Sequence, residues 1–227
     1  MIIELKKSVM KKSLLKTMMM TVLFTVAVPF VNAQIAHVGD ILCTSGVYVS
    51  PAEYENSGLE AMGVIFYVDA TGQHGWAVAL EDLGSFKICT TGSSANNYSP
   101  LTNYNSAYAA IYDLDGMFNT QEMLVYAQSF SNQSFPAYEA LDVVNGWYLP
   151  AIGQLNYLYG NLVEVNAGLV AVGGTAFEMS SSWEYWSSTE GYIAGSYEKQ
   201  YSLTSTGQIN SNGERDHIKR IRAARNF

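Results

Sequence analysis

Charge is what this sequence has least of. Asp, Glu, Lys and Arg make up 14% of its 227 residues, against about 25% in an average globular protein. Cysteine is nearly absent, and two thiols are too few for a scaffold stapled by several disulfides. Basic residues are the scarcer charge, and residues 34–213 hold only Lys87 and Lys199 among 17 acids. A body of that sign repels polyanions, which argues against nucleic acid and anionic membrane surfaces as partners. The one long apolar run, Met18–Phe30, falls short of the roughly 20 residues that span a bilayer. No HExxH, phosphate-binding glycine loop, Cys/His metal cluster or Ser/His/Asp spacing occurs. The three histidines, His37, His74 and His217, are scattered. A 48% apolar share excludes a disordered chain.

What is present begins with an export signal. Lys6, Lys7, Lys11, Lys12 and Lys16 precede the apolar run, and Val31-Asn32-Ala33 follows it with the small residues a signal peptidase reads. Residues 1–33 are therefore read as a signal peptide cut before Gln34, whether translation starts at Met1 or at Met10. No cysteine follows the cut directly, so no lipid anchor is expected, and no membrane insertion after cleavage. The mature chain carries 7 basic against 19 acidic residues, a net charge of −12. Five of those cations, Arg215, Lys219, Arg220, Arg222 and Arg225, crowd the C-terminus.

Residues 34–227 suit a single domain. Met62–Val68 is rich in β-branched and aromatic residues, Asp69–Gly75 has turn chemistry, and Trp76–Leu80 returns, which predicts a β-hairpin. Asn119-Thr120-Gln121-Glu122 reads as a capping box, with Met123, Leu124, Ala127 and Phe130 at helical spacing behind it. Pro150 marks the start of a helix carrying Leu155, Leu158 and Tyr159 on one face, and Val163–Val172 is a further helix closed by Gly173-Gly174. Strands are expected at Trp183–Ser188, Tyr197–Thr204 and Ile218–Ala224. Strands, then helices, then strands argue for an α+β fold rather than βαβ units.

Three segments resemble a known family when taken together. Gly146-Trp147-Tyr148-Leu149-Pro150 with Gln154-Leu155 resembles a Gly-Trp-Arg-Leu-Pro…Glu-Leu signature. Tyr185-Trp186-Ser187-Ser188-Thr189-Glu190 matches a Tyr-Trp-Ser-Ser-Thr-Glu block, and Ile221–Phe227 resembles a closing Val-Arg-x-Val-Arg-x-Phe. In this order they are similar to a widespread bacterial domain of unknown function, whose best-known relative is the C-terminal lectin domain of a collagen-like adhesin. The Asp113-Leu114-Asp115-Gly116 and Asn119-Thr120-Gln121 segments and the 62–80 hairpin also look like secreted gut-bacterial members. The resemblance implies a C-type-lectin-like fold of mixed antiparallel sheets and two or three helices, with the motif-bearing core at about 110–227. The same superfamily holds formylglycine-generating enzymes, but their late cysteine pair has no counterpart after Cys89, so that activity is not carried over. Tyr148 and Gln154 stand where the pattern has Arg and Glu.

Physically, these motifs read as structure. Trp147 and Trp186 are core anchors, Ser187, Ser188 and Thr189 satisfy backbone groups, and Glu190 is expected to pair with Arg222 or Arg225. The exported compartment permits a Cys43–Cys89 disulfide, which would contribute about 4 kcal/mol; two buried thiols are the other reading. Asp113-Leu114-Asp115-Gly116 opens like a calcium loop, but Met117 and Leu124 occupy positions that need oxygen ligands, so it reads as a turn with no metal or cofactor. Tyr98, Tyr104, Tyr108, Tyr192 and Tyr197, set among Asn, Ser and Gly, are the candidate ligand contacts. The expected function is a secreted, non-enzymatic module that binds a glycan or a surface protein, neutral sugars or proteins being favoured over sulfated glycans by the acidic body. The alternative is a structural or assembly component of a surface fibre or envelope complex.

Overall fold

The hairpin forms as its composition predicts. In the computed structural model, which describes residues 34–90, 101–129, 133–178, 183–191 and 199–227, β3 (Ala61–Val68) pairs antiparallel with β4 (Gly75–Ala79), with a bulge between Ile65 and Tyr67. Asp69 organises the turn by accepting hydrogen bonds from the amide and hydroxyl of Thr71. Gly75 is required there. A Cβ at this position would run into the Tyr67 carbonyl and come within 2.8 Å of the Phe227 ring.

Two sheets are built around this hairpin. The first has the order β11-β4-β3-β1-β2, with β1 at Ile41–Cys43, β2 at Tyr48–Val49 and β11 at Ala224–Asn226. The second runs β5-β10-β7-β8-β9, from β5 (Gly84–Phe86) through β10 (Lys219–Ile221), β7 (Glu184–Gly191) and β8 (Lys199–Thr204) to β9 (Ile209–Gly213). In it β10 lies parallel to β7, as does the short β6 (Asn103–Tyr104). The architecture is α+β with mixed sheets. The segment expected as one strand at 218–224 is instead two strands in different sheets. Arg222-Ala223 carries the chain between them, and its buried guanidinium turns inward onto Asp82.

Six helices are described: α1 (Pro51–Tyr54), α2 (Ala107–Ala110), α3 (Gly116–Ala127), α4 (Pro136–Glu139), α5 (Ile152–Gly160) and α6 (Leu162–Ala171). The three that exceed expectation, α1, α2 and α4, are single turns of four residues. Helix α6 matches the predicted span within a residue at each end, and Gly173 follows it with φ +74°. Helix α3 starts earlier than the capping-box pattern suggests. Its N-cap is Asp115, which accepts from the Phe118 amide at 3.1 Å. Asn119 is a buried interior residue, because its amide is engaged by Asp113 and Ser188 rather than by the helix start.

The main core lies between the sheets and the α5–α6 pair. Val64 and Phe66 of β3, Leu155 and Leu158 of α5, Val165 and Leu169 of α6, and Tyr185 and Leu203 of the second sheet share one cluster. Burial of each such aliphatic or aromatic side chain contributes about 1.5–3 kcal/mol. A second cluster gathers Met123, Phe135, Tyr138, Leu149 and Ile221 around Trp186, which is fully buried. Cys43 and Cys89 are both buried thiols. Cys89 belongs to this second cluster and donates to Gln133 Oε1 at 3.2 Å, while Cys43 sits on β1 facing the Ile41 carbonyl. They form no disulfide, so the second of the two readings holds.

Candidate functional site

The Ser187-Ser188-Thr189-Glu190 run lies on β7 with all four side chains inside the protein. Ser187 Oγ donates to the Tyr201 carbonyl at 2.8 Å, and Gln200 Nε2 donates to the Ser187 carbonyl at 2.7 Å. Ser188 Oγ accepts from Asn119 Nδ2 at 3.2 Å. Thr189 Oγ1 donates to Asp113 Oδ2 at 2.7 Å and accepts from the Ile152 amide at 2.8 Å, tying β7 to the starts of both α3 and α5. These groups have no exposed face for a ligand, so the motif is a clamp between elements. Asp113 and Asp115 do not converge on a common point: one is held by Thr189 and Asn119, the other caps α3. Among the described residues no group of three His, Cys, Asp or Glu side chains is placed to hold a metal.

Glu190 is paired, but with Arg215. Both side chains are buried, at 0% and 1% exposure, and the expected partners are engaged elsewhere. Arg222 Nε meets Asp82 Oδ1 at 2.5 Å, its NH1 donates to the Thr175 carbonyl at 2.7 Å, and its guanidinium lies 4.1 Å over the Phe177 ring. Arg225 lies 5.4 Å over the Trp147 ring. Its position on β11 turns it toward the first sheet, away from β7. Tyr138, packed beside the Glu190–Arg215 pair, has its phenol pushed up by burial and then by the Glu190 charge.

The two departures from the family pattern meet each other. Gln154 Nε2 donates to Tyr148 Oη at 3.0 Å, and Tyr148 Oη donates to Asn226 Oδ1 at 2.7 Å. Gln154 Oε1 accepts from the Ala151 amide at 2.9 Å, closing the start of α5 just after Pro150, and from the Gly116 amide at 3.2 Å. A neutral hydrogen-bonded pair therefore joins α5, α3 and the closing strand. Burial raises the Tyr148 phenol, with the Gln154 hydrogen bond opposing, which keeps the hydroxyl a donor.

Of the candidate tyrosines, Tyr104 and Tyr108 are among the described residues. Tyr104 on β6 is half-buried, and its carbonyl accepts from Tyr201 Oη at 3.2 Å. Tyr108 on α2 is 75% exposed and meets the exposed Tyr112 edge-to-face, with ring centroids 6.0 Å apart. Tyr98, Tyr192 and Tyr197 lie outside the described residues.

Two concave surfaces are formed among the described residues. An open cleft of about 910 Å³ is formed where β5, β7, β8 and β10 end or begin, with Lys87, Glu184, Thr204, Asp216, His217 and Arg220 on its walls. Lys219 Nζ reaches Glu184 Oε1 at 2.5 Å and lies 4.6 Å over the Trp186 ring. Burial would raise the Glu184 carboxyl, but hydrogen bonds from Lys219, Ser202 and Asn210 outweigh it and hold it below the ordinary glutamate range. A smaller hollow of about 330 Å³ is walled by Met62, Leu80, Leu83 and Trp147. The larger cleft has a signal in the sequence, since Lys87, Lys219 and Arg220 are cations in an acidic chain. Only the fold shows that they share a surface.

These features define a two-sheet α+β domain with a buried polar clamp and an open cleft of mixed charge. No family model and no curated protein matches the chain. Among solved structures, a fimbrial protein from Bacteroides ovatus ATCC 8483 superposes with a TM-score of 0.65 at 22% identity. The match covers 84% of this chain and 49% of that one, so the chain spans about half the length of that protein. At this identity the likeness is one of fold.

Proposed function

We propose that the exported chain is a non-enzymatic component of a bacterial surface fibre. The observation that carries this reading is the likeness over 84% of the chain to a protein described as fimbrial. Apolar surface available for assembly supports it. Tyr108, Tyr112, Phe118 and Val125 are exposed along α2 and α3, and the hollow beside Trp147 opens to solvent. Exposed apolar side chains of this kind are what a neighbouring subunit can cover. The residues with perturbed ionisation, Tyr138, Tyr148 and Glu184 among them, are held in structural hydrogen bonds rather than aimed at a reacting centre. The signal peptide belongs to the same proposal, since a fibre component must leave the cytoplasm, although residues 1–33 lie outside the described residues. The C-type-lectin-like assignment of the fold belongs to it as well, resting on the motif segments that meet through Tyr148–Asn226, Thr189–Ile152 and the cluster around Trp186.

Immunogold electron microscopy with antiserum against residues 34–227 tests this reading. Gold along or at the tips of surface filaments, lost in a deletion strain, is the expected result. Label confined to the periplasm, with the filaments of the deletion strain unchanged, would overturn it.

A further inference from the structure

We propose that the cleft between the ends of β5, β7, β8 and β10 binds a short acidic oligosaccharide, gripping a sugar carboxylate with Lys87 and Arg220. The first argument is where spare positive charge is found. Of the two cations in residues 34–213, Lys199 is paired with Glu214, whereas Lys87 lines the cleft with no carboxylate partner among the described residues. Arg220 is 41% exposed and stands 3.8 Å from Asp82, whose carboxylate is already engaged by Arg222 and by the Tyr185 hydroxyl at 2.7 Å. Its fork therefore has donors to offer, and a guanidinium matches a carboxylate in two places. Lys219 is held by Glu184 and contributes shape rather than a free charge.

The second argument is what surrounds those cations. Asp216, which has no ion-pair partner among the described residues, provides an acceptor, and Thr204 and Ser85 provide hydroxyls. Ile218, 65% exposed, supplies one apolar face. Acceptor, hydroxyls, cation and a single apolar face match a sugar ring, with hydroxyls at its rim and C–H groups on its face. The cleft volume of about 910 Å³ is that of a site for a small oligosaccharide. The acidic body, net −12, repels chains with several sulfates per ring, so a sugar acid with no more than one carboxylate per ring is the anion that fits.

Isothermal titration of the exported protein with trigalacturonate, with maltotriose as the neutral sugar and triglutamate as the acidic peptide, tests this. Saturable trigalacturonate binding is expected, at least tenfold tighter than maltotriose or triglutamate. It should weaken in high salt, and K87A and R220A should each lower it at least fivefold while leaving the thermal midpoint in place. Absence of binding, equal binding of maltotriose, tighter binding of triglutamate, or a K87A protein with unchanged affinity would each overturn it. The outcome is independent of the fibre reading, because it is measured on isolated protein and leaves filament labelling untouched.

Discussion

Replacing Arg215 with methionine removes a guanidinium that is 1% exposed and leaves the Glu190 carboxylate at 0% exposure without it. Breaking a buried ion pair from one side costs about 3–5 kcal/mol, because the remaining charge stays desolvated. For a domain of this length each kcal/mol moves the thermal midpoint by about 2–4 °C, so R215M should melt roughly 6–20 °C below the parent protein. The double variant E190L/R215M removes both charges and should recover most of that loss, since apolar replacement of a whole buried pair is often neutral. Differential scanning calorimetry of the parent, R215M and E190L/R215M reads both changes. A single variant within about 1 kcal/mol of the parent, or a double variant no more stable than the single one, would refute the view that Glu190 and Arg215 form a buried, mutually dependent pair.

Three further outcomes are expected. Gly75→Ala places a methyl against the Tyr67 carbonyl and 2.8 Å from the Phe227 ring, so its urea midpoint should fall by an amount equivalent to about 1–3 kcal/mol. The Glu184 carboxyl is held low by Lys219, Ser202 and Asn210 against the pull of burial. The parent's advantage over E184Q should therefore be full above about pH 5 and vanish as pH falls through the depressed folded value, read by urea melts at stepped pH. Cys43 and Cys89 should both take up iodoacetamide after unfolding without reductant, and reduction should leave the intact mass unchanged, because neither sulfur is in a disulfide.

Local signals in the sequence translate directly into local structure. The hairpin at 61–79 is fixed by β-branched and aromatic runs on either side of an Asp-x-Thr-Gly turn, and α6 by its apolar repeat and closing glycine. The α3 start is misread because two residues could cap it. Asp115 wins since Gly116 tucks beneath Gln154, while Asn119 is drawn inward by Asp113 and Ser188. The Glu190 partner is illegible for a related reason. Five cations lie within eleven residues, and which of them reaches β7 depends on where the chain leaves one sheet for the other. That crossing, at Arg222-Ala223, has no turn residue to announce it. The cleft is further still from the sequence, because Lys87, Glu184 and Arg220 come together only through the pairing of β5, β10 and β7.

The fate of the C-terminal cations bears on how the molecule can assemble. Arg215, Lys219 and Arg222 each neutralise a carboxylate within the chain, and Arg225 lies over Trp147. Most of the positive end of the sequence is thus engaged within the fold, with Arg220 at the cleft the exception, and the charge left to face a partner is mainly negative. Copies of the segment 34–227, whose net charge is −12, repel one another, and the repulsion lengthens in range as salt falls. A fibre built of this chain alone must overcome that with apolar contact, such as the exposed faces of α2 and α3 offer. A fibre in which it alternates with, or caps, a more basic subunit gains from the same charge. Among the described residues Lys87 and Arg220 sit together at the cleft, and there an acidic ligand would meet attraction rather than the field of the whole body.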